Sequence, residues 1–172
     1  MEPVLVAWAT RSGSTEELAR FIAEALREHG LTVDVEPIGK VRSIEPYGAL
    51  VVAAALYIGR LHRDARRFLK AQREGLMRVP VALFVPGPMQ KSEKDFAGSR
   101  KQLENELARF PWLVPVAHHV VGGKFDPANL GPPWRLIPFL RRAPISDARD
   151  WAEIHAQAAQ VAAALQKHAV GV

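Results

Sequence analysis

Continuous apolar runs alternate with amphipathic helical periods along the chain, and this alternation restricts the fold more than any other feature. Val4 to Ala9, Val33 to Val35, Ala49 to Ala55, Val79 to Val85 and Leu113 to Val121 predict strands; the central ones are continuously apolar, as strands covered on both faces must be. Between them Leu18, Phe21, Ile22, Ala25 and Leu26 form a helical stripe, with Gly30 placed to stop it. Ala65, Phe68, Leu69, Gln72 and Leu76 repeat the pattern less cleanly. Phe96, Leu103, Leu107 and Phe110 mark a further helix, and Trp151, Ile154, Ala158, Val161 and Leu165 a last one. The connection "PIGKVRSIEPYG" is broken by proline and glycine and has room only for a short helix. Strands alternating with helices require an α/β architecture, a five-stranded parallel sheet doubly wound in three layers, and right-handed crossovers favour the order 2-1-3-4-5. With 172 residues and 48% hydrophobic content the chain suits one core, so residues 1–172 are read as a single domain.

In such sheets ligands lie beyond the carboxyl ends of the strands, which directs attention to the turns Thr10 to Thr15, Leu56 to Gly59 and Pro86 to Met89. The first turn, Thr10-Arg11-Ser12-Gly13-Ser14-Thr15, puts hydroxyls and one glycine at a strand-to-helix corner. There, free N–H groups and the positive end of a helix dipole suit a phosphate. It lacks the first glycine and the lysine of a Walker loop, the three glycines of a dinucleotide fingerprint and the glycine that opens a nucleophile elbow. The plainer alternative is a hydroxyl N-cap followed by Glu16 and Glu17 at the dipole's positive end. Trp8 lies within the first strand and is read as core. The absence of cysteine excludes disulfides, thiolate metal sites and cysteine nucleophiles. His118 and His119 are adjacent on a strand, point to opposite faces and do not share a metal.

The corner T-x-S-G-S-T resembles the flavin mononucleotide (FMN) phosphate loop of the flavodoxin family, with Ser12 where threonine is usual. "ALVVAAALYIGRLH" is similar to the third strand and following loop of flavodoxin-like proteins, and "VALFVPGP" to the fourth strand and its flavin-ring loop. More narrowly, Gly59 then His62 after a small-apolar strand, the segment "KFDPANLGPPWRLIPFLRR" and the terminal "DWAEIHAQAAQVAAAL" resemble bacterial quinone-dependent protoporphyrinogen dehydrogenases of that superfamily. Gly48 stands where those proteins carry an acidic residue. The resemblance implies a flavodoxin-like fold with FMN held by Thr10, Arg11, Ser12, Gly13, Ser14 and Thr15. It further implies ring contacts from Leu56, Tyr57, Ile58 and Gly59 and from Pro86, Gly87, Pro88 and Met89. Tyr57 can equally be an ordinary loop-end aromatic. Gly122 and Gly123 either touch the cofactor or form a tight turn. His62 is either a surface loop histidine or a proton acceptor beside the flavin. The implied activity is FMN-dependent oxidation of a protoporphyrinogen-type substrate with electrons passed to quinone. An electron-transfer flavodoxin served by a reductase and a cofactor-free binding module are the alternatives.

The net charge of +5, from 23 Lys and Arg against 18 Asp and Glu, favours anionic neighbours, but no nucleic-acid motif accompanies it. Arg63, Arg66, Arg67, Lys70 and Arg73 share one helical face, either a solvated surface or a contact for anionic lipid or ligand carboxylates. An insertion at about 125–146 mixes Trp134, Leu136, Ile137, Phe139 and Leu140 with Arg135, Arg141 and Arg142. That mixture suits a membrane interface or the entry of a hydrophobic or anionic substrate; a loop packed on its own core or on a second subunit of a homodimer is the other reading. The opening residues have no basic lead-in or spanning apolar run, which predicts a cytoplasmic protein, peripheral at the inner membrane face if the insertion meets lipid.

Overall fold

The computed structural model describes residues 2–10 and 13–170. β1 (Val4–Ala9) leads into α1 (Ser14–Glu28), then β2 (Val33–Pro37), a 3₁₀ turn (Ile38–Lys40) and β3 (Ala49–Ala54). A small hairpin, β4 (Leu56–Tyr57) and β5 (Arg60–Leu61), precedes α2 (Arg63–Ala71) and α3 (Arg73–Leu76). β6 (Val81–Pro86), α4 (Glu93–Leu107) and β7 (Ala117–Val121) follow. β8 (Lys124–Phe125) then opens an excursion carrying α5 (Pro138–Arg141), which β9 (Ser146–Asp147) closes before α6 (Trp151–Val170). β2-β1-β3-β6-β7 form one parallel sheet, the 2-1-3-4-5 order expected for a flavodoxin-like α/β fold.

The continuous apolar strands are buried because each sheet face has its own core. Val4, Val6, Val51, Ala53 and Phe84 pack with Leu18 and Ile22 of α1 and Ile154, Val161 and Leu165 of α6. The alternate residues Leu5, Ala7, Leu50, Val52 and Leu83 pack with Leu61, Phe68, Leu69, Leu103 and Phe110. Trp8 is half-buried against the first of these cores, as its place in the strand suggested. α1 ends at Gly30 (φ 80°), whose N–H bonds Arg27 O while Leu31 N–H reaches back to Leu26 O. This pair of bonds is a Schellman stop that needs a residue tolerant of positive φ.

Two elements differ from the sequence reading. The helix expected through Leu76 breaks at Gln72, whose side-chain amide donates to Arg42 O (3.2 Å). Gly75 then passes so close to Ile44 that a Cβ would meet its Cδ1 at 2.7 Å. The fifth strand begins at Ala117 rather than Leu113, because Phe110 and Leu113 close the end of α4 as buried plugs, with Leu113 N–H bonded to Phe110 O. Gly48 is accounted for by close packing: its N–H donates to Pro3 O (3.0 Å), and a Cβ would lie 3.0 Å from Glu2 Cβ.

Candidate functional site

The strand register brings the expected turns to one edge. Ala9 is level with Ala54, Ala53 with Phe84 and Pro86 with Val121, so the segments leaving β1, β3, β6 and β7 emerge together. At the first, Gly13 caps α1 in the left-handed region (φ 83°), where no side chain can occupy the cap. Thr10 Oγ1 accepts from Gly13 N–H (3.1 Å), while Thr15 is buried and Ser14 half-buried. The space where a Gly13 Cβ would stand is open to 4 Å. A helix N-terminus with an exposed glycine cap and flanking hydroxyls fits a phosphate monoester. Arg11 and Ser12 lie outside the described residues.

The second segment is a two-residue hairpin turn. Leu56 pairs with Leu61 and Tyr57 with Arg60, which leaves Ile58 (φ 50°) and Gly59 (φ 70°) at the tip. Positive φ at both central positions matches the right-handed strand twist, and glycine adopts it freely. A β-branched residue does not: there the left-handed conformation costs about 1–2 kcal/mol. Ile58 is nevertheless 96% exposed, so no packing repays the strain. Tyr57 is half-buried and meets the His62 ring edge-on at 5.9 Å.

In the third segment Pro86 and Pro88 are buried, while Met89 is exposed. Gly87 N–H donates to Val121 O, and Pro88 O accepts from Gly123 N–H at 2.6 Å. A Cβ on Gly122 would collide with Ala148 O at 1.9 Å, and one on Gly123 would reach Gly87 O at 3.1 Å. Close backbone packing between β7, the 86–89 loop and the return from β9 is therefore sufficient reason for both glycines.

His62 is not a surface histidine. It is buried at the N-cap of α2, its Nδ1 accepting from Asp64 N–H (3.2 Å). A backbone N–H can only donate, so this cap requires Nδ1 unprotonated and, in the neutral ring, the proton on Nε2. Taking a further proton at Nδ1 would break the cap. The expected basic face, split between α2 and α3 by the break at Gln72, is also divided. Arg63, Arg67 and Lys70 are exposed, whereas Arg66 Nε donates to Leu61 O and Arg73 lies over the Trp112 ring.

Two charged clusters escape sequence reading. Glu106 of α4 is fully buried, with Arg60 Nε at 2.6 Å, Arg109 Nε at 3.5 Å and Arg66 Nε at 3.9 Å. Its signal was a carboxylate on the apolar stripe of Leu103 and Leu107. It fastens the hairpin to α4. Arg149, just after β9, is buried and binds both Asp147 and Glu17 of α1. Glu17 is 132 residues away in the chain, so no local pattern announces that contact.

His118 is exposed, while His119 is half-buried with its ring 5.2 Å from that of Phe84. Burial, then the neighbouring His118, holds the His119 imidazole below its ordinary pKa. In the excursion Trp134, Leu136, Ile137 and Phe139 are exposed among the exposed Arg135, Arg141 and Arg142, and Ile145 follows them. Among the described residues, no helix is long and apolar enough to cross a membrane.

A doubly wound parallel sheet with a glycine-capped helix N-terminus at its first strand-to-helix corner defines a flavodoxin-like α/β protein. The family model of the flavodoxin domain matches residues 5–137, and the chain belongs to that family. It is 29% identical over 82 residues to the protoporphyrinogen IX dehydrogenase [quinone] of Escherichia coli strain K12. That match takes in 46% of this chain and 45% of the relative, so the chain spans less than half the length of the curated relatives it matches. Among solved structures it resembles a Streptococcus pneumoniae TIGR4 flavodoxin (17% identity, TM-score 0.59, 96% of this chain and 98% of the other). A point mutant of the flavodoxin from Pseudomonas aeruginosa is similar at 19% identity and TM-score 0.59, covering 95% of this chain and 99% of the other. At these identities the structural likeness establishes the fold.

Proposed function

We propose that the protein is an FMN-dependent oxidoreductase that oxidises a protoporphyrinogen-type tetrapyrrole and passes the electrons to a quinone. The observation that carries the flavin assignment is the β1–α1 corner, an exposed glycine-capped helix N-terminus with the Thr10 hydroxyl bonded across it. When bound, the cofactor supplies the hydride and electron chemistry. The chain's part is to bind and orient. Thr10, Ser14, Thr15 and the N–H groups of the corner hold the phosphate, and Arg11 and Ser12 join them on the sequence resemblance alone. Leu56, Tyr57, Ile58 and Gly59 wall the ring on one side, and Pro86 to Met89 on the other. Backbone strain concentrates at ligand sites, and an exposed isoleucine held in a strained conformation supports that ring contact.

The substrate class rests on the name of the curated relative, together with exposed apolar Ile58 and Met89 at the site edge. A quinone resides in lipid, and the excursion has the chemistry to reach it. Trp134, Leu136, Phe139 and Ile145 provide apolar insertion, while Arg135, Arg141 and Arg142 provide head-group contacts, assisted by Arg63, Arg67 and Lys70 of α2.

Purified protein is titrated with FMN by absorption and flavin fluorescence, then supplied with protoporphyrinogen and a quinone, with and without anionic vesicles. Saturable quenching, porphyrin formation and vesicle co-sedimentation are expected. Failure to bind flavin would leave a binding module. Flavin binding with reduction by a reductase, but no porphyrin formation, would make it an electron carrier.

A further inference from the structure

Arg149 occupies an unusual position for a residue outside the phosphate corner. Its side chain is only 4% exposed. Nε and Nη2 each donate to an Asp147 carboxylate oxygen at 2.8 Å, Nη1 donates to Glu17 Oε2 at 2.7 Å, and the guanidinium stacks 4.5 Å from the Trp151 ring centroid. All three polar arms are thereby fixed. Glu17 belongs to the first turn of α1, and its own N–H bonds Gly13 O.

Acidic residues in a first turn stabilise the helix through its dipole, yet the same charges repel an anion arriving at that end. Here each such carboxylate has an arginine. Glu16 is paired with the exposed Arg20 at 2.8 Å and Glu17 with the buried Arg149. The exposed pair is solvated and screened, so its effect is small. The Glu17 carboxylate is itself 57% exposed, but its partner guanidinium is buried and gripped bidentately by Asp147, so it is not free to leave.

We propose that Arg149 is a positioning residue for the FMN phosphate: it offsets one of the two carboxylate charges of Asp147 and Glu17 and holds the Glu17 carboxylate against the β9 return, so that the α1 N-terminus accepts a phosphate monoester. The inference rests on the flavin reading above. The Asp147 carboxyl is held below its ordinary range, first by its hydrogen bond from Arg149, which reports the strength of that grip.

The test compares FMN with riboflavin, which has the same ring and no phosphate, by fluorescence titration of the flavin-free protein. Arg149→Met is expected to weaken FMN about tenfold, the scale of one neighbouring charge at a partly buried site, and to change riboflavin less than about threefold. Glu17→Gln combined with Arg149→Met should restore most of the FMN affinity. Equal weakening of both ligands, or no recovery in the double variant, overturns the proposal, because a purely structural Arg149 would behave that way. If Arg149→Met does not fold, Glu17→Gln alone decides: it should tighten FMN and leave riboflavin unchanged, and an equal effect on the two overturns the proposal. Wild-type protein that binds neither flavin defeats the flavin reading itself, and the clamp with it.

Discussion

Replacing Ile58 by glycine should raise the thermal stability of the flavin-free protein. The residue sits at φ 50° and is 96% exposed, so the substitution forfeits almost no buried contact. Relief of a β-branched side chain from the left-handed region is worth about 1–2 kcal/mol. The greater freedom of glycine in the unfolded chain takes back about 0.5–1 kcal/mol. The difference, about 0–1.5 kcal/mol in favour of the variant and centred at about 0.75, corresponds to a central rise in Tm of about 1.5–3 °C for a chain of this size. Ile58→Val keeps the β-branch and should not move Tm. Gly59→Ala, at φ 70° with Gln102 Cγ no nearer than 3.8 Å, should lower stability by about 1 kcal/mol through backbone conformation alone. Thermal unfolding followed by circular dichroism measures all three. A lower Tm for Ile58→Gly would refute the strain assignment, and a neutral Gly59→Ala would refute the turn geometry. On the flavin reading proposed above Ile58 walls the ring, so flavin titration of Ile58→Gly should register weaker FMN binding.

Glu106→Gln removes the anion from beneath Arg60 and should cost about 3 kcal/mol in urea unfolding, at the low end for a broken buried pair because Arg60 is partly exposed. Gly122→Ala forces a methyl into the Ala148 carbonyl and should destabilise by about 3 kcal/mol or more, whereas Gly131→Ala, with open space around it, should stay within about 0.5 kcal/mol. The His119 ring resists protonation in the fold while the unfolded ring takes up a proton near its ordinary 6.5. Stability should therefore fall as pH drops through that value and level off once the folded ring protonates, and His119→Phe should abolish the fall. Asp147 acts in a lower window: its depressed folded pKa contributes stability above 3.8 that is lost as pH falls further through the folded value, a loss Asp147→Asn should flatten.

The legible parts of the molecule are those in which a local pattern has one physical outcome. A run such as Val4–Ala9 can be satisfied only by cover on both faces, and the stripe from Leu18 to Leu26 only by lying against such a sheet; strand order then follows from crossover handedness. The turns after β1, β3 and β6 were readable as candidates because the topology carries strand ends to one edge. Where an element ends was less legible. Gln72 breaks its helix for the sake of a carbonyl in the Arg42 loop, and Leu113 leaves the fifth strand to fill, beside Phe110, a corner of the core. Such choices depend on neighbours distant in the chain.

His62 marks the boundary most clearly. Its type and place after a hairpin were visible in the chain, but its burial and its service as a helix cap came from the packing of α2 against the sheet. The same holds for Arg149, whose neighbours Asp147 and Trp151 are local while Glu17 is not. Periodicity and turn chemistry are short-range properties, so the amino-acid order alone determined the layers, the strand order and the hydroxyl-rich corner. Charge pairing, glycine close approach and the strained exposed Ile58 arise where separate segments are forced into one volume, and only the assembled sheet, helices and returning β9 strand could settle them.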